Sequence, residues 1–142
     1  MLEPFISSGF VLKSQATSVF MDRLDDDIMV GSSPSEQSLL KFEGVSNFRV
    51  CFKSDNGKYL TRRKDNNWIQ ATQETCDENS IFRVYNNDGK LSIKSTWRFV
   101  APTGSSDYIF SARTNTISVW SQFTVEVHNV TSGIFNFSYA SI

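Results

Sequence analysis

Residues Val50 to Val84 read "VCFKSDNGKYLTRRKDNNWIQATQETCDENSIFRV", and the segments on either side are looser copies of the same plan. Phe10, Val50 and Leu91 each open a phrase that ends in Lys-Ser. These phrases place Lys13, Lys53 and Lys94 at successive steps of 40 and 41 residues. Met21, Leu60 and Val100 follow at steps of 39 and 40, Met29, Ile69 and Ile109 at two steps of 40, and each copy closes on a phenylalanine, Phe42, Phe82 or Phe123. A period held this closely at four places marks an internal repeat. The repeats run over about 8–48, 49–88 and 89–127.

Within each copy apolar and polar residues alternate over short runs, the period of half-buried strands. The first copy divides into "FVLKS", "VFMDR", "DIMVG" and "LLKFEGV", the second into "VCFKS", "KYLTRR", "NWIQAT" and "SIFRVY", and the third into "LSIKS", "RFVAP", "YIFSA" and "QFTVEV". Turn residues separate them. Asp55-Asn56-Gly57 and Asn86-Asn87-Asp88-Gly89 are strong hairpin signals, because Asn, Asp and Gly tolerate positive φ.

Twelve strands in three fourfold groups predict an all-β chain, a β-trefoil with pseudo-threefold symmetry over residues 1–127, followed by a tail at 128–142. The expected core layers are Leu12, Phe52 and Ile93; Met21, Leu60 and Val100; Met29, Ile69 and Ile109; and Phe42, Phe82 and Phe123. A propeller also uses blades of this length, but three blades are too few to close one. In the tail, Phe135, Phe137 and Tyr139 alternate with polar or small residues, which reads as a thirteenth strand in need of a partner. Association with a second copy, or a truncated longer protein, is favoured over a purely local role.

The 142 residues can bury a sizeable core without staples, and a formal net charge of −1 with interspersed signs offers no basic stripe for nucleic acid. Arg62-Arg63-Lys64, followed by Asp65, reads as a solvated turn. Two cysteines, Cys51 and Cys76, fall short of the framework typical of small secreted domains and are read as free thiols. There is no signal-like start and no long apolar run, so a cytoplasmic or nucleocytoplasmic protein that does not insert in a membrane is expected. His128 stands without a nucleophile motif and reads as a linker residue; Asp25-Asp26-Asp27 lacks the later ligands of a calcium loop and reads as a turn. No enzyme, metal site or cofactor is expected.

The sharpest candidate for binding is "KDNNWIQA", Lys64 to Ala71. If Ile69 faces inward, strand alternation turns Trp68 outward beside the amides of Asn66 and Asn67. An aromatic face next to planar hydrogen-bonding groups suits a sugar ring. Ile28 and Tyr108 are read as the equivalents of Trp68, so a simple covering role competes. The candidate carbohydrate-binding set is Asp65, Asn66, Asn67, Trp68 and Tyr108.

The phrases "CFKSDNGKYL", "NNWIQAT" and "DENSIF", with "IKS" in the third repeat, resemble the amaranthin-type plant agglutinins over roughly residues 8 to 127. "KSDNGKYL" also recurs in other trefoil families, including actin-bundling ones. The agglutinin resemblance implies a lectin for galactose and N-acetylgalactosamine glycans such as the T-antigen disaccharide, with sites shared between two subunits of a dimer. A single domain departs from that family's tandem arrangement. The alternatives are a protein-binding trefoil, either a protease inhibitor or a cytoskeletal module, and the targeting part of a pore-forming protein. There is no Gln-x-Trp motif of the ricin type.

Overall fold

A computed structural model describes residues 9–16, 18–33, 35–95, 98–102, 109–128 and 137–140. The first repeat contributes β1 (Phe10–Ser14), β2 (Phe20–Leu24), β3 (Asp27–Gly31) and β4 (Leu40–Ser46); the second β5 (Arg49–Ser54), β6 (Tyr59–Arg62), β7 (Ile69–Gln73) and β8 (Phe82–Asn87). The third contributes β9 (Lys90–Ser95), β10 (Arg98–Pro102), β11 (Phe110–Thr114) and β12 (Gln122–His128), and β13 (Phe137–Ala140) follows.

Six strands close a barrel. Going round, β1 pairs with β4, β4 with β5, β5 with β8, β8 with β9, β9 with β12 and β12 with β1, all antiparallel. Closure covers most strand edges; β12 runs on past its pairing with β9 at Gln122 and Phe123. Hairpins β2–β3, β6–β7 and β10–β11 cap one end. They meet in a triangle of three bridges: Asp27 with Gln70, Trp68 with Ser111, and Ile109 with Met29. The chain is therefore the β-trefoil that its repeats predict.

The same triangle corrects one core layer. It makes Asp27, Trp68 and Ile109 equivalent, and so Ile28, Ile69 and Phe110; these last three, not Met29, Ile69 and Ile109, belong to the central hydrophobic cluster. Met29 is half-buried on the other face, and Ile109, though covered, lies outside that cluster. A second layer shifts for a similar reason. Phe10 pairs with Leu40, Val50 with Phe82 and Leu91 with Phe123, so the first repeat closes on Leu40 and not on Phe42. The layers Leu12, Phe52, Ile93 and Met21, Leu60, Val100 are buried as expected.

Two small devices recur threefold. The Lys-Ser phrase puts an ammonium over a ring on the neighbouring strand, Lys13 over Phe20, Lys53 over Tyr59 and Lys94 over Phe99, at 5.7, 5.6 and 5.4 Å from the centroids. Such contacts are worth about 0.5–1 kcal/mol at exposed sites. The second device sits just before each closing strand: the buried hydroxyls of Ser38, Ser80 and Ser121 accept from the backbone N–H of Ser35, Asp77 and Ser118, each at 3.0 Å. Each serine precedes its core residue, Leu40, Phe82 or Phe123, by two positions.

The cysteines are not free thiols. Cys51 on β5 and Cys76 after β7 form a disulfide, with Cα atoms 5.9 Å apart. Counting cysteines measures the density of a framework, whereas the pairing depends on distance, and the turn Cys76–Ser80 folds over the outer face of β5. There the Ser80 hydroxyl lies 3.7 Å from the Cys51 Sγ. The tail strand also finds its partner inside the chain: β13 pairs antiparallel with β12, Val125 opposite Ala140 through His128 opposite Phe137. Phe135 lies outside the described residues.

Candidate binding surfaces

The loop between β6 and β7 is built by its own hydrogen bonds. Arg63 N–H donates to the Trp68 carbonyl at 2.8 Å and Asn67 N–H to the Arg63 carbonyl at 2.9 Å, which closes a tight turn with Asn67 at φ 63°, a conformation Asn accepts more readily than most residues. The side chains reinforce it: the Asn66 Oδ1 accepts from Trp68 N–H at 3.0 Å, and the Asn67 Oδ1 accepts from the Arg62 guanidinium at 2.8 Å. Both amide acceptors are thus committed locally. Asp65 is exposed and pairs with Arg63 at 2.8 Å.

Ile69 points into the barrel and Trp68 to the opposite side, half-buried, as strand alternation requires. The positions equivalent to Trp68 are Asp27 and Ile109, one residue away from the expected Ile28 and Tyr108. Each does something different: Asp27 accepts from the Gln70 side chain at 2.7 Å, Ile109 is buried, and Trp68 carries an indole. Tyr108 lies outside the described residues. Four of the five candidate residues, Asp65 to Trp68, therefore share one rim, with an indole and two amide nitrogens as what it can offer a ligand.

The runs read as turns take that role. Asp25 and Asp26 make the two-residue link of the β2–β3 hairpin, with Leu24 opposite Asp27 and Asp25 at φ 55°. Beside it, Arg23 reaches Asp55 with two nitrogens at 2.6 and 2.8 Å, and this guanidinium holds the Asp55 carboxyl below the usual carboxylate range. Among the described residues no group of His, Cys, Asp and Glu could hold a metal, and no helix is long and apolar enough to cross a membrane.

A second surface lies on the serine-held turns and carries no motif of its own. The serine-held turns have the four-residue form Ser35-Glu36-Gln37-Ser38, Asp77-Glu78-Asn79-Ser80 and Ser118-Val119-Trp120-Ser121. In two copies the middle pair is a carboxylate and an amide, the ordinary furniture of a solvated turn. In the third it is Val119 and Trp120, 46% and 50% exposed, with Ile117 beside them at 38%. The signal was present in the sequence, once these four-residue phrases are aligned on their final serine.

The fascin-domain family signature matches residues 11–125, which takes in all three repeats. The chain belongs to the fascin domain family. Among solved structures, a designed threefold-symmetric protein, ThreeFoil, is similar over 83% of this chain and 97% of its own, with a TM-score of 0.71 and 10% identity. At that identity the likeness speaks to the fold alone. The comparison with curated protein sequences gave no match.

Proposed function

We propose that this fascin domain is a non-catalytic protein-binding module of the cytoskeletal kind and that it docks through Val119 and Trp120. The observation that carries the reading is the asymmetry of one turn: an exposed valine and tryptophan stand where the other two repeats carry Glu36-Gln37 and Glu78-Asn79. Tryptophan is among the side chains that dominate binding energy at protein interfaces. Fascin-type trefoils bundle actin, so filamentous actin is the first partner to test. A single docking knob supports attachment to a filament; cross-linking needs a second docking surface.

The test is co-sedimentation with actin filaments of the native chain and of the double variant Val119→Glu, Trp120→Asn, which copies the second repeat. The native chain is expected to pellet saturably and the variant at least 10-fold more weakly, as loss of a hot-spot tryptophan implies. Absence of pelleting by the native chain, or equal pelleting by the variant, overturns the reading.

A second reading takes the rim at Asp65, Asn66, Asn67 and Trp68 as a carbohydrate site for galactose or N-acetylgalactosamine glycans. The outward, half-exposed indole of Trp68 favours it. The committed acceptors of Asn66 and Asn67 leave that rim short of partners for sugar hydroxyls, so it requires completion by a second copy of the chain. Glycan-array binding that disappears in Trp68→Ala supports this reading, and binding unchanged in that variant removes it.

A further inference from the structure

The outer wall of the barrel at β5, β8 and β9 carries a charge arrangement that the other two repeats do not reproduce. Arg49 is directly opposite Arg83, and Arg83 is directly opposite Lys94, so three cations occupy facing positions on three adjacent strands. Facing residues in an antiparallel pair have Cβ atoms about 4.5–5.5 Å apart, and like charges there oppose pairing. Among the described residues no acid forms an ion pair with any of the three. By the register of the closing strands, the equivalent positions in the other two repeats are Lys90, Thr124, Lys13 and Gly9, Lys41, Lys53. The threefold frame is filled with three facing cations at one place.

That place is concave. Arg49, Arg83 and Lys94 line an open groove of about 480 Å³ together with Glu78 and Ile81. This volume falls within the range of small-ligand sites. The groove is well fixed on one side: Glu78 belongs to the turn that the Cys51–Cys76 disulfide and the buried Ser80 hydroxyl hold against β5. Lys94 is fixed on the other, its ammonium lying over the Phe99 ring. Three cations against one carboxylate leave two positive charges unbalanced.

We infer that this groove is a binding site for a phosphate monoester. A phosphomonoester carries a charge of about −1.5 to −2 at neutral pH and three acceptor oxygens, which matches both the excess charge and the number of cationic donors. Guanidinium forks from two neighbouring strands engage a phosphoryl group in the bidentate way that a single lysine cannot. The site is separate from Val119 and Trp120 and does not depend on the partner proposed for them.

The test is calorimetric titration of the whole chain at low ionic strength with a phosphoserine peptide, its unphosphorylated form, glucose 6-phosphate and inorganic sulfate, repeated on Arg83→Gln. Native protein is expected to bind the phosphoserine peptide and glucose 6-phosphate, with sulfate and the unphosphorylated peptide at least several-fold weaker. Arg83→Gln should weaken phosphomonoester binding at least 10-fold, the factor that loss of one charge-assisted hydrogen bond implies. Its thermal midpoint should equal or exceed that of the native chain, because a facing like-charge contact is relieved. A peptide preferred over glucose 6-phosphate identifies a phosphoprotein as the source of the group, and equal affinity identifies a small phosphorylated metabolite. No binding by the native protein, equal binding of sulfate, an unchanged affinity in Arg83→Gln, or a lowered midpoint in that variant overturns the inference.

Discussion

Reducing the Cys51–Cys76 disulfide should cost this trefoil about 3.5 kcal/mol of stability, nearly all of it through the unfolded state. The bond spans a sequence separation of 25 residues. The loop-closure relation for such a loop gives about 12 cal/mol/K of unfolded-chain entropy, or about 3.5 kcal/mol at room temperature. The folded state has reasons to stay as it is after reduction. Asp77 N–H still donates to the Ser80 hydroxyl, the single hydrogen of that hydroxyl is still shared between the carbonyls of Thr75 and Asp77 at 3.2 and 3.0 Å, and the Thr61 hydroxyl still donates to the Asn79 carbonyl at 2.7 Å. Three hydrogen bonds therefore hold the turn besides the sulfur bridge.

The assay is guanidinium unfolding followed by circular dichroism, with and without a phosphine reductant. The expected outcome is a lower midpoint with a somewhat larger slope, since the reduced unfolded chain exposes more surface. In thermal unfolding the same loss should lower the midpoint by roughly 10 °C for a domain of this size. A fall below about 1 kcal/mol would refute the unfolded-state argument. A fall accompanied by loss of native dichroism would refute the claim that the turn holds itself.

Two further substitutions probe the frame. Ser80→Ala should destabilise by about 1 kcal/mol, because it removes the buried hydroxyl that accepts from the half-buried N–H of Asp77; a midpoint within error of the native chain would show that the serine turns are incidental. Asp55→Asn tests the pH dependence. Arg23 lowers the folded-state pKa of Asp55, so its stabilisation is present above the ordinary carboxylate pKa of about 4 and is lost as pH falls through the lower folded value. The native chain should thus exceed Asp55→Asn by about 1 kcal/mol at neutral pH, with the gap closing below about pH 4; a gap independent of pH in chemical unfolding would contradict it.

The repeat was legible because every copy must meet the same packing demands at the same spacing. The errors of register were equally physical. Ile28-Met29 and Ile109-Phe110 are adjacent apolar pairs, so either member satisfies a spacing of about 40, and only the three bridges that close the hairpin triangle decide between them. Leu40 and Phe42 lie two apart on β4, so alternation puts both on one face and spacing alone does not separate them, although Leu40 is the one that pairs with Phe10. The serine two positions before Leu40, Phe82 and Phe123 would have fixed the alignment. Alternation with the buried Ile69 turns Trp68 outward, as the sequence pattern predicts. The committed acceptors of Asn66 and Asn67 were not legible, because hydrogen bonds inside a turn depend on its backbone conformation.

The symmetry of the frame gives a criterion for separating fold from function. A feature required for closure recurs in all three repeats, as the lysine-over-ring contacts and the serine-held turns do. A departure from the threefold pattern then needs its own cause. At Asp27, Trp68 and Ile109 the departure has a structural one, since the three residues form the bridges of a single triangle and each is accommodated differently. At Val119 and Trp120 the described residues supply no such cause: the neighbouring repeats make the same turn with Glu36-Gln37 and Glu78-Asn79, and the apolar pair stays half in water. Exposed apolar area of this kind contributes nothing to the isolated fold and becomes favourable only when a partner covers it. The turn at Val119 and Trp120 is for that reason a stronger candidate for the docking surface than the rim at Trp68.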